Sequence, residues 1–82
     1  MSRIHYKGIL YHPTQLYKLM NVLYDEGCKI LLEQIDNRVV CNLTFPYHGH
    51  ESQVGASEFS IWESLKSCIQ EKIEIHERFY KI

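Results

Sequence analysis

The sequence lacks a long apolar run, a tract of low complexity and any cluster of glycine or proline. No segment approaches the roughly 18 apolar residues that a transmembrane helix needs, and the opening residues MSRIHY contain no apolar core of a secretion signal. Only 4 glycines and 2 prolines occur among 82 residues, and 45% of the residues are hydrophobic, which argues against a disordered or collagen-like chain. We therefore expect one compact domain over residues 1–82, in a cytoplasmic protein without a membrane partner.

Cysteine is also scarce, and its spacing excludes a disulfide framework. The cysteines Cys28, Cys41 and Cys68 are odd in number, lie far apart, and each belongs to an apolar segment. Small secreted domains that depend on disulfides carry an even and denser set of cysteines. We expect three buried, reduced thiols, as is typical of a reducing compartment.

Neither sign of charge is in excess, which argues against nucleic acid as the main partner. The chain has 9 Lys and Arg against 10 Asp and Glu, and the basic residues are scattered. Affinity for nucleic acid depends largely on clustered phosphate contacts. The segment RVVCNLTF matches the strand motif of RNA-recognition domains only at Arg38 and Phe45, and the last helix opens with SEFS rather than basic residues. Nucleic-acid binding therefore stays an alternative.

The first segment has the composition of a β-strand. Residues 3–11, RIHYKGILY, are rich in β-branched and aromatic side chains. Ile4, Tyr6 and Leu10 fall on one side of a period-2 pattern. This pattern predicts a single first strand.

A helix is predicted over residues 13–26. Pro13 suits the first turn of a helix, where its missing N–H is not needed, and Gly27 is a C-terminal stop. Between them, apolar residues recur at helical spacing, namely Leu16, Leu19, Met20 and Leu23.

The segment 28–45 predicts a β-hairpin. Two apolar runs meet at Asp36 and Asn37, which both tolerate the left-handed backbone of a tight turn. With these two residues as the loop, paired positions sum to 73. One face then carries Ile30, Leu32, Val39, Cys41, Leu43 and Phe45, and the other carries Leu31, Glu33, Ile35, Arg38, Val40 and Asn42. The second face is too apolar for a fully solvated surface and is the first candidate for a binding site.

The C-terminal half predicts a loop and a long helix. Residues 46–56 contain one proline and two glycines, which predicts a loop with at most a short strand around 52–54. Ser60 and Glu63 match a capping box, and a helix is predicted over 58–77. Its apolar stripe is Ile61, Trp62, Leu65, Cys68, Ile69 and Ile73, and its expected solvated face is Glu63, Lys66, Glu71, Lys72, Glu74 and Glu77. The apolar tail Phe79, Tyr80 and Ile82 either extends this helix, adds an edge strand or docks on a neighbour.

The element order β-α-β-β-(β)-α predicts an α+β fold. We expect a two-layer sandwich in which an antiparallel sheet of three to four strands carries both helices on one face.

Metal binding and catalysis have weak support in the sequence. His48 and His50 could share a metal with a thiolate such as Cys41, but their spacing is not that of a structural zinc site. Candidate nucleophiles and bases occur, for example Ser52 with His48, yet none lies in a recognised catalytic motif. We expect no catalytic residue, no cofactor and no metal, with a metal site or minor enzymatic activity at the two histidines as the second alternative.

Tyrosine is the one abundant side chain suited to contacts. The chain has 6 tyrosines, and Tyr17 and Tyr24 lie one heptad apart on the first helix. Tyrosine is enriched at protein interfaces, although strands and core edges also use it. We expect a small regulatory or inhibitory module that binds another protein, of the kind that phages and mobile elements encode, with a homodimer as a variant. The expected contact residues are Tyr17, Tyr24, Leu31, Ile35, Val40 and Tyr47.

Overall fold

The computed structural model describes residues 2–80, with side chains for residues 2–78. Its elements are β1 (Ile4–Tyr6), β2 (Ile9–Tyr11), a 3-10 turn (Pro13–Gln15), α1 (Leu16–Asp25), β3 (Lys29–Ile35), β4 (Arg38–Tyr47), β5 (His50–Glu58) and α2 (Ile61–Tyr80). The class is α+β, as predicted. The backbone of the tail continues α2 to residue 80, and the prediction for Ile82 lies outside the described residues.

The prediction of a single strand over residues 3–11 is wrong. The segment forms a hairpin, β1 and β2, in which Ile4 pairs with Tyr11. Lys7 and Gly8 form the turn, with φ of +48° and +81°, as a two-residue hairpin turn requires. This reversal exposes Leu10, which was predicted to share a face with Ile4. The hairpin is a two-stranded sheet of its own, so the predicted single sheet is right only in part.

The helix predicted over 13–26 is confirmed as the 3-10 turn followed by α1. It ends where Gly27 adopts a left-handed φ of +86°. The N–H of Cys28 donates to the Leu23 carbonyl at 3.0 Å, and the N–H of Gly27 donates to the Tyr24 carbonyl at 2.9 Å. These two bonds satisfy carbonyls that the helix end would otherwise leave open.

The hairpin of β3 and β4 has the predicted register. Ile35 pairs with Arg38 and Ile30 with Leu43, so paired residues sum to 73. Asp36 has a φ of +56°, in the left-handed region that was expected for this turn. Alternation therefore separates the two faces of the sheet as predicted.

The segment after β4, predicted as a loop, is mostly a strand. His48 and Gly49 form a second tight turn with φ of +51° and +79°, and β5 then runs antiparallel to β4 for nine residues. The loop was predicted from Pro46, Gly49 and Gly55, of which Gly49 belongs to the turn and Gly55 to β5. Pro46 was taken as a break because proline cannot donate to a strand ladder. In the structure β3 stops short of it, since the pair at that end of β3 is Lys29 with Thr44. Pro46 therefore lies where no hydrogen bond to β3 would form, and its missing N–H costs the sheet nothing.

The helix predicted over 58–77 is observed as Ile61–Tyr80. Ser60 caps it, because its hydroxyl accepts a hydrogen bond from the Glu63 N–H at 3.1 Å. In a full capping box the Glu63 carboxylate would accept a hydrogen bond from the Ser60 N–H. Here it accepts a 2.5 Å hydrogen bond from the Ser2 hydroxyl instead. This contact joins the N-terminus to the first turn of α2.

The core lies between the three-stranded sheet and the rest of the chain. α2 packs across β4 and β5, and α1 contacts β3. The buried side chains of the cluster are Ile4, Tyr6, Tyr11, Leu19, Leu23, Cys28, Cys41, Leu43, Phe45, Val54, Trp62, Leu65, Cys68 and Ile69. Among residues 2–80, no helix is both long and apolar enough to cross a membrane.

Candidate functional site

The face of the three-stranded sheet that points away from the core is the first candidate site. The registers place the same residues there as the hairpin pattern predicted, and β5 adds a third row. We call this surface the open face, and it comprises Lys29, Leu31, Glu33, Ile35, Arg38, Val40, Asn42, Thr44, Pro46, Glu51, Gln53, Gly55, Ser57 and the following Phe59.

Large apolar side chains are exposed together on the open face. Leu31 is 60% exposed and Ile35 is 50% exposed. Half-buried Val40 on β4 pairs with Glu33, which lies between Leu31 and Ile35 on β3. Single exposed apolar residues are normal, whereas a group of them on one face indicates a contact surface.

Phe59 enlarges this apolar group and was not predicted from the sequence. The Arg38 guanidinium donates to the Ser57 hydroxyl at 3.2 Å and to its carbonyl at 2.9 Å. The same guanidinium stacks over the Phe59 ring, with 4.4 Å from its carbon to the ring centre. Phe59 is nevertheless 69% exposed. Gln53, Gly55 and Ser57 alternate onto the open face along β5. This alternation would have placed Phe59 on the same face if β5 had been recognised in the sequence.

The predicted contact residues divide among three places. Leu31, Ile35 and Val40 lie together on the open face, as described. Tyr17 and Tyr24 are exposed on α1, whose buried residues belong to the core on the other side of the sheet. Tyr47 faces the same way as Phe45, and its hydroxyl donates to the Ile75 carbonyl at 3.3 Å. Half-buried Tyr47 therefore packs on α2 and does not extend the open face.

The two histidines are not brought to Cys41. His48 stands in the turn with its ring 4.3 Å from that of Tyr47, and His50 pairs with Tyr47 across the strands. Cys41 lies six residues before Tyr47 on β4, which is about 20 Å in an extended strand. Within the described part of the chain, no group of three or more His, Cys, Asp or Glu side chains could hold a metal.

All three thiols are free and buried, as predicted. The Cys68 thiol donates to the Cys41 carbonyl at 3.2 Å. Its hydrogen bond with the Cys41 side chain, together with burial, raises the pKa of Cys68. Burial also raises the pKa of Cys28. Cys28 and Cys68 are therefore protonated at neutral pH and are poor nucleophiles, whereas the hydrogen bond with Cys68 lowers the pKa of Cys41.

A buried polar cluster beside the core is a second candidate site. Lys72, predicted to lie on the solvated face of its helix, is only 7% exposed. Its ammonium donates to the Tyr6 hydroxyl at 3.0 Å, and that hydroxyl donates to the Glu26 carboxylate at 2.5 Å. The same carboxylate pairs with Lys7 at 2.6 Å. The sequence held the signal for Lys72, because it follows Leu65 by seven residues and so continues the apolar stripe of α2.

The pKa shifts of this cluster follow from burial and from its hydrogen bonds. Burial, followed by the hydrogen bond to Glu26, raises the pKa of Tyr6. Burial alone would raise the pKa of Glu26, but the hydrogen bonds from Lys7 and Tyr6 hold it below its ordinary value. Burial lowers the pKa of Lys72, against the attraction of Glu26. The cluster thus joins two ammonium groups through one carboxylate, and one positive charge is left over.

Comparison with family models, curated proteins and solved structures gives no match for this chain. Function must therefore follow from the geometry of the open face and of the buried cluster.

Proposed function

We propose that this chain is a non-catalytic module that binds another protein through the open face and regulates or inhibits that partner. In this proposal the fold is a two-layer sandwich in which the helices cover one side of the sheet and leave the other side for the partner. The observation that carries it is the joint exposure of Leu31, Ile35 and Phe59 on one sheet face. Protein interfaces combine apolar and aromatic side chains with arginine at their centre in this manner.

The charges of the open face favour protein over nucleic acid. Its two cations have partners, since Lys29 lies 3.5 Å from Glu51 and Arg38 is bound to Ser57. Glu33 adds a second carboxylate to the face. A phosphate backbone would meet as many carboxylates as cations there, which is unfavourable for binding that depends on neutralised phosphates.

The position of Glu33 favours a different protein over a second copy of this chain. Glu33 lies between Leu31 and Ile35 on β3, in the middle of the apolar group. A two-fold dimer centred there would bring Glu33 close to its own copy, and like charges are costly when they lose water. The partner we infer has an apolar patch with a lysine or arginine placed opposite Glu33, which would supply the opposite charge.

The test compares two matched substitutions on different surfaces. Ile35 and Ile9 are 50% and 51% exposed, both on strands, but Ile9 lies on β2, away from the open face. Tagged wild-type chain, Ile35→Asp and Ile9→Asp are incubated with lysate of the source organism, and retained proteins are quantified by mass spectrometry. We expect one partner to be retained by wild type and Ile9→Asp, and to fall at least about tenfold with Ile35→Asp, since a buried unpaired charge costs several kcal/mol.

Folding and self-association are measured on the same samples. Thermal unfolding should give similar midpoints for the two variants, because both residues are half exposed. A partner whose retention falls equally with both variants, or with Ile9→Asp alone, would contradict the proposal. If light scattering shows that the wild-type chain is a dimer and that Ile35→Asp dissociates it, the partner at the open face is a second copy of this chain.

A further inference from the structure

A cavity of about 680 Å³ lies between the turn of the N-terminal hairpin and the C-terminal half of α2. Its lining includes Lys7 and Gly8 of the turn and Lys72, Ile73, His76 and Glu77 of α2. Small-molecule sites usually have volumes of about 300 to 1,000 Å³. The cavity is separate from the open face, because Tyr6 and Lys72 belong to the core side of the sheet.

Lys72 gives this cavity a cationic floor whose hydrogen-bonding capacity is only partly used. Its ammonium has three N–H donors, and among the described residues it makes one hydrogen bond, to Tyr6. Its other close neighbours are the rings of Tyr6 and Phe45, whose centres lie 5.3 Å and 5.5 Å away. Ring faces attract a cation but cannot accept its remaining protons as an oxygen does. A buried ammonium in this position favours an anion as a further partner.

The remaining lining limits that anion to a single charge. Lys7 is already paired with Glu26, and Glu77 brings a carboxylate to the exposed rim of the cavity. A ligand with several negative charges would therefore meet repulsion, whereas one carboxylate matches the one positive charge left over in the cluster.

The walls favour an apolar body behind that carboxylate. Ile73 lines the cavity, and the His76 ring is held in place between neighbours. Its Nδ1 donates to the Lys72 carbonyl at 2.8 Å, and its face packs 5.6 Å from the centre of the Phe45 ring. Ile73 and His76 lie three residues apart on α2, so an aliphatic and an aromatic side chain stand side by side along one wall, which suits a flat or slender apolar group.

We propose that this cavity binds a small organic monocarboxylate, with the carboxylate accepting hydrogen bonds from the Lys72 ammonium and the apolar body lying against Ile73 and His76. Binding of the anion also offsets the cost of burying Lys72. Burial lowers the pKa of Lys72, and a bound carboxylate shifts this pKa upward again.

The first experiment uses the wild-type chain and matched ligand pairs. Acetate, butyrate, phenylacetate and indole-3-acetate are titrated beside their neutral amides, and backbone amide shifts are followed by NMR. We expect the larger carboxylates to bind with shifts at Gly8 and Ile73, and at least about tenfold more tightly than their amides, since a charge-assisted hydrogen bond is lost. Equal affinity of acid and amide, or no binding by any carboxylate, would overturn the proposal.

Two lysine variants then assign the effect. Lys72→Met keeps an unbranched side chain without the charge, and Lys66→Met makes the same change elsewhere on α2, where Lys66 lines a different cavity with Arg3 and Gln70. We expect Lys72→Met to weaken binding of the tightest carboxylate at least about tenfold and Lys66→Met to change it less than about twofold. Full affinity in folded Lys72→Met would refute the assignment. Because the open face is untouched, failure here leaves the proposed function standing.

Discussion

At the scale of single residues, Glu26 connects three parts of the chain. It follows the last turn of α1, it accepts a hydrogen bond from Tyr6 in β1, and it pairs with Lys7 in the hairpin turn. Through Tyr6 it also reaches Lys72 in α2. One carboxylate thereby fixes the N-terminal hairpin between the end of one helix and the middle of another.

The pH dependence of stability tests this role. The pKa of Glu26 is lower in the folded chain than in the unfolded chain, so its contribution is complete above the unfolded value and is lost as the pH falls through the folded value. Glu26→Gln should lower the free energy of unfolding by about 1 to 2 kcal/mol at pH 7. The difference from wild type should shrink as the pH falls from about 5 toward 3, as measured by urea denaturation.

The exposed Glu33→Gln on β3 is the control, for which we expect a change within about 0.5 kcal/mol at pH 7. A loss in Glu26→Gln that stays constant down to pH 3 would show that packing, rather than the charge, is what Glu26 contributes.

At the scale of elements, the tight turns decide how much of the fold the sequence reveals. The turn at Asp36 and Asn37 was predictable because long apolar runs flank it, and the helices were predictable from their spacing and end signals. The turn at Lys7 and Gly8 separates strands of only three residues, so no alternation was long enough to show the break. The turn at His48 was missed because Pro46 before it argued against a strand. Pro46 is tolerated because it lies beyond the end of β3, and that pairing cannot be read from the local sequence.

The candidate sites were also predictable only in part, because some of their residues depend on pairing and packing between distant segments. Register alone placed Leu31, Ile35 and Val40 on one face. Phe59 was missed because its side depends on β5, and Lys72 was missed because a lysine was taken for a solvated residue although its helical position is buried. The cavity beside Lys72 depends on the N-terminal hairpin packing against α2, which no local pattern specifies.

Ser64 tests how α2 is joined to the sheet. It is fully buried, its hydroxyl donates to the Val39 carbonyl at 2.5 Å, and it accepts from the Glu58 N–H at 3.2 Å. Ser64→Ala leaves both backbone groups without this partner, so we expect the free energy of unfolding to fall by about 1 to 3 kcal/mol. Ser67→Ala, half-buried on the same helix, should change it by less than about 0.5 kcal/mol. Equal effects of the two variants in chemical denaturation would contradict this role of the hydroxyl.

At the scale of the whole molecule, the chain presents two surfaces with different chemistry. The open face carries exposed apolar residues and charges of both signs, whereas the cavity on the other side carries one buried cation in excess. The first suits a protein surface and the second suits a small anion. The tyrosines of α1 form a third exposed group, and they are the competing location for a protein partner.

Site-specific photo-crosslinking shows directly whether a partner protein lies on the open face. A benzophenone side chain is introduced at Leu31 on the open face or at Tyr17 on α1, both exposed, and the crosslinked products from lysate of the source organism are identified. We expect one protein that is crosslinked from position 31 and not from position 17. The same protein crosslinked from position 17 and not from position 31 would contradict this expectation, because the partner would then bind α1 and leave the open face unused.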